Sequence, residues 1–341
     1  MESRARLGGL WEVVKEIFCQ KLLTYYLPCS SVLPNHLSGL SVIVTGATSG
    51  IGLHTARELA NAGAHVIMAC RNTKAASDIA RQWTVEAHYR KVPNVEVMEL
   101  DLLSLASVRR FAEVWEQRAV PLHILINNAG VLLMGEPQQF SVDGLEQHMQ
   151  VNHVAPALLT LLLLPSLLKA PSSRIVNVNS VVHHCAVMEP KNWRGKVKEH
   201  NFSSMKAYAA SKLAHLMFLK ILANSLLEQK RASIQCIAVH PGIVTTKLVP
   251  SFQKKSFWMF DPAEGARSVL FCASSDQVAD DLDNGFAYYS CNCKPGRVSP
   301  HVANMDSCLD VWKKTLEILQ LDDNYLSQMI ANTNEKLNKN V

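Results

Sequence analysis

The chain reads Ser41-Val-Ile-Val-Thr45 and continues directly into Gly46-Ala-Thr-Ser49-Gly50-Ile51-Gly52. The first five residues predict a buried strand, and a helix is predicted to begin at about Leu53. Glycines at such a junction allow a tight turn in which backbone N–H groups approach a pyrophosphate at the positive end of the helix. Because the glycines follow a strand immediately, the segment predicts a dinucleotide-binding loop with contacts from Gly46, Ser49, Gly50, Ile51 and Gly52.

Short β-branched runs alternate with amphipathic helical stretches from Leu40 onward. Several runs are apolar throughout, as expected for strands covered on both faces of a parallel sheet. The alternation predicts an α/β fold with a single doubly wound parallel (Rossmann) sheet of about seven strands, in one domain over residues 38–300. A helix at Met305–Leu319 is predicted within the C-terminal segment, 301–341. The predicted strands are Ser41–Thr45, His65–Cys70, Val95–Glu99, His123–Asn127, Arg174–Asn179, Ile234–Val239 and Gly285–Tyr289.

Residues 1–37 form an N-terminal segment that ends in a short linker around Pro28 and Pro34. Four charged residues interrupt its apolar stretch, unlike a secretory signal or a membrane span. Residues at three- and four-residue steps instead predict an amphipathic helix. Two alternatives stay open: the helix lies on a membrane surface, or it docks on its own protein or a partner subunit. The apolar face comprises Leu7, Leu10, Val14, Ile17, Phe18, Leu22 and Tyr25, and the polar face Glu12, Lys15, Glu16 and Gln20.

Composition restricts the class of protein. The 341 residues are 48% hydrophobic and 18% charged, which excludes a disordered or low-complexity chain. A net charge of +5 without a Lys/Arg run argues against nucleic-acid binding. Nine cysteines without paired spacing predict reduced thiols and no metal site. These features fit a cytoplasmic protein, or one peripheral on a membrane that faces the cytosol. The apolar stretch Val154–Leu168 contains two prolines and predicts a buried helix.

The end of the second predicted strand distinguishes between nicotinamide cofactors. About twenty residues after the glycines, an acidic residue binds the ribose 2′-hydroxyl of NAD, whereas an arginine suits the 2′-phosphate of NADP. The sequence has Cys70-Arg71 and no acid there, which favours NADP(H), with an ordinary surface arginine as the alternative. Asp101 follows the third strand and is predicted near the adenine. Asn128, in the turn after the fourth strand, is predicted to lie against the cofactor.

A tyrosine and a lysine in Tyr208-Ala-Ala-Ser-Lys212 lie on one face of a predicted helix. The lysine cation, together with the positive nicotinamide ring, is expected to lower the pKa of the Tyr208 phenol. Tyr208 then exchanges a proton with a carbonyl or alcohol oxygen, and Ser180, at the end of the fifth strand, holds that oxygen.

These segments, taken in order, resemble the short-chain dehydrogenase/reductase family over residues 38–300. The resemblance implies that Asn152 is a fourth catalytic residue, which supports Lys212 and a proton-relay water. It also implies that Lys212 binds the nicotinamide ribose and that Thr246 contacts the nicotinamide. The matching motifs are Thr45–Gly52, Asn127–Gly130, Ser180, Tyr208 with Lys212, and Pro241-Gly242.

Shorter motifs look like one branch of that family, the branch that holds the retinol dehydrogenases. They are Ala69-Cys-Arg-Asn72, His240-Pro-Gly242 and a helix beginning Pro262-Ala-Glu-Gly265. Three further segments resemble a plant member of the branch, namely Asn177–Val181, Leu162–Leu167 and Val311–Leu316.

The sequence departs from the family pattern at three places. Asn179 stands where a second serine is frequent, and a neutral exchange is expected. Ala155-Pro156 replaces a frequent glycine and puts the placement of Asn152 in question. Thr48-Ser49 lacks the basic residue that many NADP(H) members carry. The resemblance also allows a homodimer through helices around 157–168 and 208–226, which the N-terminal helix could obstruct.

Two functions follow from these observations. The first is an NADP(H)-dependent oxidoreductase that interconverts a carbonyl and an alcohol on a small lipophilic substrate, such as a prenoid, steroid, terpenoid or aldehyde. The second is an NADP(H)-binding regulatory or scaffold protein with little turnover. The substrate class rests on the resemblance alone, because a fold does not define its pocket.

Overall fold

The computed structural model describes residues 2–27, 37–87, 92–188, 190, 193–230, 233–246, 248 and 258–339. The linker predicted around Pro28 and Pro34 falls outside these residues. Seven strands form one parallel sheet in the order β3-β2-β1-β4-β5-β6-β7. The predicted doubly wound sheet is confirmed, with every boundary within one residue. The strands are β1 Ser41–Thr45, β2 His65–Cys70, β3 Val95–Glu99, β4 Ile124–Asn127, β5 Ser173–Val178, β6 Ile234–Val239 and β7 Phe286–Tyr289.

Helices cover both faces of the sheet. Successive side chains of a strand point to opposite faces, so Val42 and Val44 pack with α2, α3 and α8, whereas Ile43 packs in the layer of α4, α6, α7, α10 and α11. This burial on both sides explains the continuous apolar runs in the strands. The helices are α1 Glu2–Thr24, α2 Gly50–Asn61, α3 Thr73–Glu86, α4 Leu105–Glu116, α5 Gln147–Met149, α6 Ala155–Lys169, α7 Ser204–Glu228, α8 Pro262–Ser274, α9 Pro300–Ala303, α10 Met305–Leu319 and α11 Tyr325–Lys339.

The C-terminal helices pack on the two long central helices. Helix α10 begins and ends where it was predicted and packs against α7, while α11, which was not predicted, packs against α6. These helices therefore cover part of the surface through which a homodimer was expected. Within the described residues, Gln147–Lys169 is the one helical stretch long and apolar enough to cross a membrane, but 89% of its apolar window is buried in the fold. It is a core helix, as the sequence predicted.

Helix α1 docks on the body of the protein through its polar face. Gln20 is fully buried and Glu16 is half-buried, whereas Phe18, Leu22 and Tyr25 are 54%, 66% and 84% exposed. The docked face is therefore the polar one at these positions, and the apolar face is exposed. The physical reason is that Glu16 and Gln20 both find polar partners in loops at the carboxyl edge of the sheet. Docking on its own protein is the alternative that the structure shows.

Candidate active site

The glycine loop lies between β1 and α2, where it meets the turn after β4. The strand order reverses between β1 and β4, and at such a point the carboxyl ends of the strands leave a crevice for ligands. Gly46 and Gly50 have φ angles of +68° and +57°, which a side chain would strain. A Cβ built on Gly52 would lie 2.3 Å from Asn128 Nδ2. Ser49 precedes the helix and its side chain makes no capping hydrogen bond. The loop thus presents a close-packed backbone at a helix N-terminus.

Asn128 holds the glycine loop in place. Its Nδ2 donates to the carbonyl of Thr45 at 2.8 Å, and its backbone N–H donates to Thr45 Oγ1 at 3.0 Å. These bonds tie the turn after β4 to the last residue of β1. Asn128 therefore shapes the loop and also lines the cavity beside it.

A cavity of about 490 Å³ runs along the carboxyl ends of the strands. It brings together every predicted site residue except Gly52, which lies behind the loop, and Asn152, which lies behind Lys212. Apolar side chains line part of it, among them Val131, Leu132, Leu133, Val151 and Leu248. The predicted site residues on its wall are Gly46, Ser49, Gly50, Ile51, Arg71, Asp101, Asn128, Ser180, Tyr208, Lys212 and Thr246.

Arg71 and Asp101 occupy the cavity wall at the ends of β2 and β3. Arg71 is exposed, and its neighbour Asn72 is occupied in capping α3 through a hydrogen bond from the Ala75 N–H. Asp101 Oδ1 accepts a hydrogen bond from the Leu103 N–H at 3.0 Å, which fixes the carboxylate at the rim. A guanidinium at the end of β2, with no carboxylate in the same turn, makes this part of the cavity suitable for an anion.

Ser180, Tyr208 and Lys212 converge at the buried end of the cavity. Tyr208 is hydrogen-bonded to Ser180, and Lys212 Nζ lies 5.8 Å from the centroid of the Tyr208 ring. Lys212 Nζ also donates to the carbonyl of Val178, at the end of β5, at 2.9 Å. Strand β5 thus delivers the serine, and successive turns of α7 deliver the phenol and the amine.

Burial changes the pKa of both titratable groups. It raises the pKa of Tyr208 to about 12, against which the hydrogen bond with Ser180 acts. It lowers the pKa of Lys212 to about 8. The direction for Tyr208 is opposite to the expected one, because without a cofactor the loss of water outweighs the hydrogen bond with Ser180. The expectation also included a positive nicotinamide ring, whose charge would lower the pKa of the phenol.

Asn152 lies in a π-helical segment, Gln150–Val154, just before α6. Its Oδ1 accepts from the Val131 N–H at 2.8 Å, and its Nδ2 donates to the Val131 carbonyl and to Ser211 Oγ, both at 3.0 Å. A Cβ built on Gly130 would lie 3.1 Å from Asn152 Oδ1 and 3.5 Å from Lys212 Nζ, so both groups flank the same glycine. The Ala155-Pro156 departure therefore leaves Asn152 next to the lysine. Such π-helical turns frequently occur at functional sites.

Asn179 plays a part that the sequence reasoning missed. Its Oδ1 accepts from the Ser180 N–H at 2.7 Å, and its Nδ2 donates to the Lys212 carbonyl at 3.0 Å. One buried amide thus connects the backbone of the serine to the backbone of the lysine. A serine could not span both groups, so the exchange at this position is not neutral in its contacts. Its position beside Ser180 was the only signal in the sequence.

His183 fixes the other side of Ser180. Its Nδ1 donates to the Ser180 carbonyl at 2.7 Å, and its Nε2 accepts from the Ser299 N–H at 3.2 Å. Both ring nitrogens are therefore engaged in hydrogen bonds to the backbone, and burial lowers the pKa of this histidine to about 3. His183 therefore has a structural role beside Ser180.

Comparison with known proteins gives the same family as the motifs. The sequence pattern of short chain dehydrogenases matches residues 41–192. The chain is 42% identical to dehydrogenase/reductase SDR family member FEY of Arabidopsis thaliana, over 96% of this chain and 91% of that protein. It is 38% identical to retinol dehydrogenase 12 of Homo sapiens, over 83% of this chain and 87% of that protein. The predicted likenesses to a plant member and to retinol dehydrogenases are both confirmed.

A solved structure agrees with these sequence relatives. A short chain dehydrogenase from Escherichia coli CFT073, complexed with NADPH, superimposes with a TM-score of 0.59 at 26% identity, covering 75% of this chain and 98% of that chain. The fold, the ordered motifs and the two relatives all lead to one assignment. The chain belongs to the short-chain dehydrogenase/reductase family of oxidoreductases and is similar to its retinol dehydrogenases.

Proposed function

We propose that the protein is an NADP(H)-dependent oxidoreductase that interconverts a carbonyl and an alcohol on a small lipophilic substrate. The observation that carries the proposal is the convergence of Ser180, Tyr208 and Lys212 in the same cavity as the glycine loop and Arg71. A proton donor, an oxygen-binding hydroxyl and an anion-binding loop in one crevice are the parts that carbonyl reduction needs.

The glycine loop fits a dinucleotide pyrophosphate, because the crowded position of Gly52 and the positive φ of Gly46 and Gly50 leave backbone where side chains would fill the space. Ser49 Oγ and the N-terminus of α2 face the same region, and Arg71 supplies the charge for a 2′-phosphate. The E. coli protein complexed with NADPH supports this choice of cofactor. The bound nicotinamide supplies a hydride.

Side chains of the protein transfer the proton. Tyr208 donates its phenolic proton to the substrate oxygen during reduction and takes it back during oxidation, while Ser180 holds that oxygen. Lys212 stabilises the phenolate electrostatically and binds the nicotinamide ribose. Asn152 holds the backbone of Val131 beside the lysine and supports the water that relays the proton.

The apolar part of the cavity favours a lipophilic substrate. Leu132, Leu133, Val151 and Leu248 lie on its wall, and each removes water from a hydrocarbon placed against it. The likeness to a retinol dehydrogenase supports the same class. Prenoids, steroids, terpenoids and fatty aldehydes all share the required apolar body with one polar end.

The deciding experiment titrates purified protein with NADPH and with NADH, following nucleotide fluorescence, for wild type, Arg71→Ala and Tyr208→Phe. We expect tight NADPH binding, loss of at least tenfold in affinity without the guanidinium, and retained binding without the phenol. Reduction of a lipophilic aldehyde such as nonanal should be lost in Tyr208→Phe. A preference for NADH refutes the role of Arg71. Binding of NADPH without reduction of any aldehyde in a panel favours the regulatory alternative.

The exposed face of α1 supports a second element of the proposal, contact with a membrane surface. Trp11 is 66% exposed and lies on the same helix as the exposed Phe18 and Leu22, and the exposed Tyr25 follows the last residue of the helix. Lys294 beside Tyr26 adds positive charge to this surface, whereas Lys15 on α1 is paired with Glu12. Apolar and aromatic side chains with flanking lysines are the combination that binds an anionic lipid interface.

Co-sedimentation with phosphatidylcholine vesicles that contain phosphatidylserine tests this contact. We expect wild type to bind and Leu22→Glu to lose binding at least fivefold, because a carboxylate would enter the lipid interface. Val142→Glu is the matched control, since Val142 is 85% exposed away from this helix. Equal binding of the three proteins would refute the contact.

A further inference from the structure

Helix α1 brings two polar side chains, the half-buried Glu16 and the fully buried Gln20, to loops at the carboxyl edge of the sheet. Glu16 and Gln20 are four residues apart and lie on the same face of the helix. Both reach residues more than 200 positions away in the sequence, in loops that follow β6 and β7. Ligands of such sheets bind at the carboxyl ends of the strands, and the loop after β6 lines the cavity through Pro241, Gly242 and Thr246.

Gln20 uses its whole amide on the loop that follows β6. Its Oε1 accepts from the Ile243 N–H at 2.8 Å, and its Nε2 donates to the Ile243 carbonyl at 3.0 Å and to the Trp258 carbonyl at 2.8 Å. Both amide protons and the carbonyl oxygen are therefore engaged, and the side chain is fully buried. The glutamine connects the outgoing end of the loop, at Ile243, to its returning end, at Trp258.

The backbone around this contact is closely fitted. The Phe260 N–H donates to the Ile243 carbonyl at 3.0 Å, and the Thr245 N–H donates to the Phe260 carbonyl at 2.9 Å. Gly242 has a φ of +88°, and a Cβ there would lie 3.0 Å from Gln20 Oε1 and 2.6 Å from the Phe260 ring. The Gln20 side chain thus fits closely against the paired ends of the loop.

Thr246 connects the loop that Gln20 holds to the cavity. It follows the paired backbone directly and lines the cavity. Its Cγ2 lies 3.3 Å from where a Cβ of Gly50 would be, so Thr246 contacts the glycine loop from across the crevice. The position of Thr246 relative to the glycine loop therefore depends on the backbone that Gln20 holds.

Glu16 makes a parallel connection to the serine. Its Oε1 accepts from Cys291 Sγ at 2.9 Å and lies 3.5 Å from His240 Nε2. His240 Nδ1 in turn accepts from the N–H of Val181, the residue after Ser180. Burial alone would raise the pKa of Glu16, but the contacts with His240 and Cys291 leave it below its usual range. A charged residue of α1 thus contributes to the surroundings of the serine.

We propose that the N-terminal helix is a component of the active site and that Gln20 is its positioning residue, holding the β6 loop and Thr246 against the glycine loop. The inference rests on the proposed function for its kinetic consequence. Without the glutamine amide, the Ile243 N–H and the Trp258 carbonyl lose the hydrogen bonds that Gln20 makes to them, and the Ile243 carbonyl keeps its bond from the Phe260 N–H. The ends of the loop are then held together less tightly. Binding of cofactor and substrate then weakens more than the chemical step does.

The experiment compares Gln20→Met and Gln20→Asn with the control Lys21→Met. Methionine keeps the length without the amide, and asparagine keeps the amide but is one methylene too short. Lys21 holds the same helix through Glu264, with Nζ 2.6 Å from both carboxylate oxygens, and does not line the cavity. Readouts are hydrogen exchange in peptides covering Ile243–Thr246, the NADPH dissociation constant, and kcat and KM for nonanal with NADPH.

Both Gln20 variants should accelerate exchange at Ile243–Thr246 at least tenfold and raise the NADPH dissociation constant and the KM about tenfold, with kcat within twofold. Lys21→Met should change the melting temperature but not these values. Unchanged exchange in both Gln20 variants, or equal changes in Lys21→Met, overturns the inference. If wild type reduces no aldehyde, the proposed function fails, while exchange and NADPH binding still decide the role of Gln20.

Discussion

Lys212 is expected to destabilise the cofactor-free protein at neutral pH. Its side chain is 4% exposed, and burial lowers its pKa from 10.5 to about 8. A lowered lysine pKa means that the fold disfavours the ammonium relative to the neutral amine. At about 1.4 kcal/mol for each tenfold change in proton affinity, the burial of this charge costs about 3 kcal/mol. The replacement Lys212→Met removes that cost while filling a similar volume.

The replacement also removes one hydrogen bond. Lys212 Nζ donates to the Val178 carbonyl at 2.9 Å, and the loss of such a bond costs about 1 kcal/mol. At pH 7 we therefore expect Lys212→Met to be about 2 kcal/mol more stable than wild type. The same variant should lose reduction of aldehydes, because the cation beside Tyr208 is gone.

The stability difference between wild type and Lys212→Met depends on pH. In the folded protein Lys212 releases its proton near pH 8, and in the unfolded chain near pH 10.5. Between these values the unfolded chain binds more protons, so the stability of wild type rises with pH. The advantage of the methionine variant should be largest below pH 8 and should shrink as the pH approaches 10.5. Above that range wild type should be the more stable by about 1 kcal/mol, the value of the hydrogen bond.

Urea unfolding followed by tryptophan fluorescence, from pH 6.5 to 10.5, measures this difference. Subtracting one protein from the other at each pH cancels the groups that titrate in both. Lys206→Met is the control, because Lys206 is an exposed lysine of the same helix, and its effect should stay within about 0.5 kcal/mol. A methionine variant that is less stable than wild type at pH 7, or a difference that does not change with pH, would refute the reasoning.

Two further replacements test the backbone of the site. Gly52→Ala would place a Cβ 2.3 Å from Asn128 Nδ2 and 2.5 Å from the Gly46 carbonyl oxygen. We therefore expect about 3 kcal/mol of destabilisation, measured by thermal unfolding, and loss of NADPH binding, measured by fluorescence. Wild-type affinity for NADPH would contradict this. Asn179→Leu leaves the Ser180 N–H without its partner and removes the bond to the Lys212 carbonyl, so kcat for aldehyde reduction should fall about tenfold with NADPH affinity within threefold. An unchanged kcat would show that the amide is dispensable.

Local patterns were sufficient to predict the sheet. A strand covered on both faces is apolar at consecutive positions, so the runs at Ser41–Thr45 and Ile234–Val239 were visible in the sequence and have the same bounds in the structure. The glycine loop was equally visible, because its requirement for small residues is local. Helix α11 was missed, since its polar composition carries no strong signal and its packing against α6 is a long-range event.

Contacts between distant segments were not predictable from these patterns. Asn179 donates a hydrogen bond to the carbonyl of Lys212, and this bond can form only because α7 lies beside β5. Gln20 pairs with Ile243, more than 200 residues later. A side-chain amide has no preferred partner in the sequence, so its role appears only when the backbone groups are in place. The raised pKa of Tyr208 likewise follows from burial, which the Tyr-x-x-x-Lys spacing does not report.

Helix α1 docks through its polar face, and this orientation connects its membrane contact with the positioning role of Gln20. A helix that docks through apolar side chains can shift along its axis at modest cost. In any other register Glu16 and Gln20 would lose their hydrogen bonds to Cys291, Ile243 and Trp258. Polar docking therefore fixes the position of the helix against the β6 loop. It also leaves Phe18, Leu22 and Tyr25 exposed where they can contact a lipid interface. Membrane contact and the geometry of the site would then depend on one helix, and vesicles should change KM in wild type but not in a protein that carries Leu22→Glu.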